Sequence, residues 1–128
     1  PTGTFVTQYS FIHIDNIPMV LSESDLFIFA SSCENMPVTL IEGMASGLPI
    51  ACSDRGPMPE VLGNGGVYFN PENPQSIANA IKMIIDNKDL RLKGIKVSKQ
   101  ISNKYLWKVN SEKTFQFLTE TIKKHKQN

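Results

Sequence analysis

Two glutamates eight residues apart, Glu34 and Glu42, flank a proline that opens a helical stretch. The first turn of a helix leaves backbone N–H groups without acceptors and carries partial positive charge, so it can hold a phosphate. Val38, Thr39 and Leu40 would supply such donors, while Pro37 has none to give. Glu34 falls in the loop just before. Glu42 lies four residues after Val38 and three after Thr39, so it shares their face and leans back toward the same turn. A carboxylate repels a phosphate, so each glutamate is expected to accept hydrogen bonds from hydroxyls instead. A ligand that combines a phosphate with sugar hydroxyls satisfies both features.

Other reactive side chains fit chemistry less well. His13 sits in an apolar run, Phe11 to Ile14, and is expected in a core or at a strand edge. His125 belongs to a basic tail and should be solvated. Cys33 adjoins Glu34, but acidic surroundings do not activate a thiol. Glu60, in Gly56-Pro-Met-Pro-Glu60, is expected to fix a loop, and Trp107, just after Tyr105, to pack. No His, Cys, Asp and Glu cluster has metal-ligand spacing, so neither a metal nor a cofactor is expected.

The elements that must position the glutamates follow from punctuation and periodicity. Leu26 to Ala30 is an unbroken apolar run of strand length, and Pro49 to Cys52 and Val67 to Phe69 predict further short strands. Phe11 to Ile14 predicts another, followed by a weak helix from Ile17 to Glu23. Between the strands, Pro37 suits a first helical position, and Gly47 followed by Pro49 marks that helix's end. Asn73 and Pro74 open the next helix, with Ile77, Ile81, Ile84 and Ile85 as its apolar stripe. Helices over residues 88–102 and 109–124 complete the chain. Apolar strands alternating with helices predict an α/β fold, a parallel sheet between helix layers. Its ligand site should lie beyond the carboxyl ends of the strands, which is where Glu34 stands.

Composition bounds the rest. At 128 residues, 41% hydrophobic and 20% charged, the chain is one domain's worth of globular sequence and not a disordered one. No run reaches the ~20 apolar residues of a membrane span. Two cysteines make no disulfide framework, and a reduced cytoplasmic setting fits them best. No signal peptide is visible, and a start at Pro1 hints at a piece of a longer protein. The net charge of +1 hides a split: residues 1–87 carry nine acids and two bases, and residues 88–128 carry eleven bases and three acids. A basic tail of +8 is expected to meet a negative surface or to form a solvated helical face.

Four blocks in order resemble one family: Asp25-Leu-Phe-Ile-Phe-Ala-Ser-Ser-Cys-Glu-Asn-Met-Pro37, Leu40-Ile-Glu-Gly-Met-Ala-Ser-Gly-Leu-Pro-Ile-Ala51, Gly56-Pro-Met-Pro-Glu60 and Gly66-Val-Tyr-Phe-Asn-Pro71. They resemble the C-terminal domain of the retaining nucleotide-sugar glycosyltransferases of family four, from about residue 10 to 120. The resemblance implies part of a GT-B enzyme: residues 1–128 would be the C-terminal portion of a Rossmann-like donor domain, with the acceptor domain absent. Glu34 would be the catalytic candidate, contacting the donor sugar's hydroxyls and not acting as a nucleophile. Asn35, Met36, Pro37, Val38 and Thr39 would line the sugar and diphosphate, and Glu42 would bond the ribose. The implied partners are a nucleotide-sugar donor and a saccharide or lipid-linked acceptor in cell-surface polysaccharide or lipopolysaccharide assembly, and nucleic acid is not expected.

The basic tail would then touch the inner face of the cytoplasmic membrane, or the last helix would cross back onto the absent domain. Gly43 departs from the family's usual Ala, a loss of about 1 kcal/mol in helix propensity. The family's diphosphate-neutralising cations would lie in earlier units that this chain lacks. Alternatives are a sugar-nucleotide epimerase-like protein and a non-catalytic flavodoxin-like binding module. A phospho-receiver of the latter kind needs an aspartate after its strand, whereas Asp25 precedes one.

Overall fold

The computed structural model describes residues 5–126. After a 3-10 turn at Ile14–Asn16 the elements are α1 (Ile17–Ser22), β1 (Phe27–Phe29), α2 (Val38–Ser46), β2 (Ile50–Ser53), α3 (Met58–Leu62), β3 (Val67–Phe69), α4 (Pro74–Asp86), α5 (Lys88–Ser102), a second 3-10 turn (Asn103–Tyr105) and α6 (Trp107–Lys126). The three strands form one parallel sheet in the order β1-β2-β3. Phe27 pairs with Ile50 and Phe29 with Cys52, while Ala51 pairs with Val67 and Ser53 with Phe69.

Alternation along β2 divides the core. Ile50 and Cys52 face Leu40, Met44, Met58, Val61 and Leu62, with Ile101 of α5 packed against the same cluster. Ala51 faces the other way, with Phe69, Ala80 and Ile84 and the flanking Ile77 and Ile81 of α4. The sheet therefore has helices on both faces, as the apolar strands predict. Burying a side chain such as Ile84 contributes about 2 kcal/mol.

Four expectations are corrected. Residues 11–13 form no strand, because no ladder partner stands beside them among the described residues. His13 is exposed, and its Nδ1 accepts from the Asp15 N–H at 3.4 Å, capping the turn that follows. β1 is buried on one face only: Phe27 and Phe29 stack toward α2, but Ile28 is 44% exposed. Ile85 lies at the edge of the α4 stripe and is exposed.

Gly43 has a structural reason that propensity alone does not show. A Cβ there would stand 2.6–2.9 Å from the Phe27 ring. The bare backbone lets α2 lie close on β1, which fixes the height of α2's first turn above the sheet edge. Gly47 ends the helix in the left-handed region, φ 82°.

Candidate functional site

The site begins where β1 ends. The chain leaves Phe29 at the carboxyl edge of the sheet, crosses the loop through Glu34, and enters α2 at Val38. Pro37 is buried and stands one residue before the helix, as its N-cap, and not at the first helical position. It makes no side-chain cap. The Val38 N–H, expected to be an anion donor, is already spent: it donates to the Met36 carbonyl at 2.9 Å. Ile41 donates to the Pro37 carbonyl at 3.2 Å, so Thr39 and Leu40 carry the first-turn donors without an intrahelical acceptor. Leu40, also expected to face an anion, is however fully buried in the core, and only Thr39 of the two is exposed.

Glu34 and Glu42 are both half-buried. Neither joins an ion pair among the described residues. Asn35, Met36, Val38 and Thr39 are exposed, so the outer side of the turn is open to a ligand. Glu42 lines a groove of about 400 Å³ between α1 and α2, with Ile14, Ile17, Leu21, Ser22 and Ala45 among its other walls. Sequence spacing missed this wall. It comes from α1, more than twenty residues upstream, and local periodicity carries no signal for such a contact.

A larger cavity, about 540 Å³, lies at the opposite, amino edge of the sheet, between the Gly63–Val67 segment and Leu90, Arg91 and Lys93. Arg91 is committed there: its Nη1 donates to the carbonyls of Ile84 and Ile85, closing the end of α4. That edge has neither Glu34 nor Glu42, so volume and chemistry point to different ends of the molecule. The chemistry decides: Glu34 and the start of α2 stand at the carboxyl edge, and the smaller groove runs from Glu42 along α2 to Ala45 and Ser46.

Beneath the site the core is neutral. Burial pushes the Cys52 thiol up to about 12 against an opposing backbone hydrogen bond from Ser53. Burial, then the neighbouring Cys52, likewise raises the Tyr68 phenol to about 12. Tyr68 donates to the Gly63 carbonyl at 2.6 Å. Cys33 and His125 are exposed. Glu60, expected in a loop, is exposed in the first turn of α3, and Trp107, expected to pack, is 89% exposed. Among the described residues no group of His, Cys, Asp and Glu could hold a metal ion, and no helix is long and apolar enough to cross a membrane.

A parallel three-stranded sheet between helix layers, with the loop of Glu34 and the start of α2 at its carboxyl edge, defines a Rossmann-like α/β fold. The chain matches the family described as glycosyl transferases group 1 over residues 5–101, and it belongs to that family. It is 35% identical over 81 residues to the O-antigen chain mannosyltransferase RfbU of Salmonella typhimurium, covering 63% of this chain and 22% of that protein. It is 23% identical over 104 residues to the sulfoquinovosyl transferase SQD2 of Arabidopsis thaliana, covering 77% and 20%. The Anabaena protein HepE, solved in complex with UDP, superposes with a TM-score of 0.71 at 20% identity, covering 81% of this chain and 30% of that one. The chain thus spans about a fifth of the two curated relatives.

Proposed function

We propose that this chain is the donor-binding portion of a retaining glycosyltransferase that moves a sugar from a nucleotide-sugar to a saccharide or lipid-linked acceptor in cell-surface polysaccharide or lipopolysaccharide assembly. One observation carries the reading: an uncapped helix start with the N–H of exposed Thr39 unspent, following Glu34 and preceding the groove that Glu42 lines. The Thr39 N–H and the positive end of the α2 dipole would hold the diphosphate and stabilise the charge that grows on it as the sugar departs. Asn35, Met36 and Pro37 line the sugar, Glu34 accepts from its hydroxyls, and Glu42 accepts from the ribose. HepE, whose structure contains UDP, supports a nucleoside diphosphate as the anchor of such a ligand.

Calorimetry on the full-length protein tests this. Glu42→Ala should weaken nucleoside-diphosphate binding by about 1.5–3 kcal/mol, the worth of a charged hydrogen bond. Unchanged affinity would sink the assignment of Glu42 to the ribose. The chain alone should transfer nothing, since catalysis needs donor and acceptor held together across a cleft, and detectable transfer by the isolated chain contradicts this.

We also propose a cytoplasmic location with contact to the inner membrane face through the basic tail. Support comes from the eleven bases of residues 88–128 together with the exposed Trp107 and Phe115 of α6. Anionic lipid attracts lysine and arginine with about 1 kcal/mol each near its surface. Flotation with vesicles should show binding that needs anionic lipid and falls with salt. No binding even to anionic vesicles at low salt would overturn membrane contact, and binding indifferent to lipid charge and salt would overturn the role of the basic residues.

A further inference from the structure

Three loops leave the carboxyl ends of the strands, residues 30–37, 54–57 and 70–73, and Arg55 is the one cation they contain. Its guanidinium spans two of them. Nε lies 3.4 Å from Asp54 Oδ1, and Nη2 lies 3.3 Å from Asn70 Oδ1 and 3.7 Å from Glu72 Oε2. The two turns are anchored on both sides of this link. Asp54 N–H donates to the Phe69 carbonyl at 2.9 Å, and Arg55 N–H donates to Ser53 Oγ at 3.2 Å. Asn70 N–H in turn donates to Ser76 Oγ of α4 at 3.0 Å. The turn after β2 is therefore tied through Arg55 to the turn after β3, and through Asn70 to a helix whose stripe is buried.

The far side of the same turn faces the candidate site. Gly56 adopts φ 51°, and a Cβ there would lie 4.0 Å from the Glu34 carbonyl oxygen. The loop that carries Glu34 is held more loosely: its hydrogen bonds are local, Ser31 Oγ to the Cys33 carbonyl at 3.3 Å and Val38 N–H to the Met36 carbonyl. A firmly tied wall beside a loosely tied loop decides where the loop rests.

We propose that Arg55 is a positioning residue for the candidate site: by locking the turn after β2 to the turn after β3, it keeps Gly56 beside the Glu34 backbone and limits where the Glu34 loop, and with it the carboxylate, can stand relative to the start of α2. What Glu34 then does rests on the transferase reading above, but the coupling itself does not. The guanidinium is half-exposed, and exposed ion pairs add little to global stability. The effect is therefore local. Lysine, a point donor, cannot reach three acceptors as the planar fork does.

The test has two readouts. Amide hydrogen exchange on the full-length protein should speed up across residues 31–37 and 54–57 in Arg55→Ala, and also in the double variant Asn70→Ala, Glu72→Ala, which leaves Arg55 in place. Exchange in α4 and the melting temperature should hold, and Arg55→Lys should restore only part of the protection. Unchanged exchange across 31–37 in both variants, or a general loss of protection in both, overturns the proposal. In the transfer reaction Arg55→Ala should lower kcat about tenfold or more through misplacement of a reacting group, while nucleoside-diphosphate affinity stays within about twofold because α2 carries its own donors. Wild-type protein that binds no nucleoside diphosphate would end the transferase reading, and the exchange result would still decide the coupling.

Discussion

Helices α4 and α6 follow the same pattern and meet different surroundings. Both place an apolar residue every third or fourth position. In α4 the stripe of Ile77, Ala80, Ile81 and Ile84 lies on the sheet, with Ile84 only 2% exposed. In α6 Phe115, Leu118 and Ile122 keep the same spacing, yet Phe115 is 69% exposed and the others about half. Connection explains part of the difference. α4 follows β3 after four residues, and Asn73 caps it by accepting from the Gln75 and Ser76 N–H groups at 3.0 and 3.2 Å. α6 follows an extended Leu106, packs chiefly on the preceding turn, and lies beyond the matched residues 5–101. A periodic stripe specifies which face of a helix will be buried; the neighbour decides whether it is.

Stability measurements can break this comparison. Ile84→Ala should cost about 2–4 kcal/mol in chemical denaturation, as transfer and cavity costs add. Leu118→Ala on α6 should stay within about 0.5 kcal/mol. Equal losses would mean that α6 packs on the body after all. Between them falls α2, whose contact with β1 depends on Gly43. Gly43→Ala gains about 1 kcal/mol of helix propensity but presses into the Phe27 ring, and overpacking costs about 1–3 kcal/mol. The expected result is a net loss near 1 kcal/mol, and a gain would show that α2 and β1 stand further apart.

The contrast also explains what the sequence could and could not say. Caps and breakers act within a few residues, so Asn73 with Pro74 and Gly47 with Pro49 marked helix ends that the fold keeps. α3 escaped notice because Pro57 and Pro59 read as loop, although proline is tolerated in a first helical turn. The run from Phe11 to Ile14 is apolar enough for a strand, but a strand exists only beside a partner. At the site, the offset of Glu34 and Glu42 was legible as spacing. The loss of the Val38 donor to Met36 depends on backbone dihedrals at Pro37, and the α1 wall and the Arg55 link depend on contacts between distant segments. Periodicity encodes neither.

The two ends of the sheet offer the most direct test. Titrating a nucleoside diphosphate such as UDP into the isotope-labelled chain and following backbone amide shifts would locate the ligand even at weak affinity. The account predicts perturbations at Thr39, Leu40 and Glu42, extending to Ile17 and Leu21 across the groove. Shifts confined to Gly63–Val67 and Lys93, around the larger cavity at the amino edge, would contradict it.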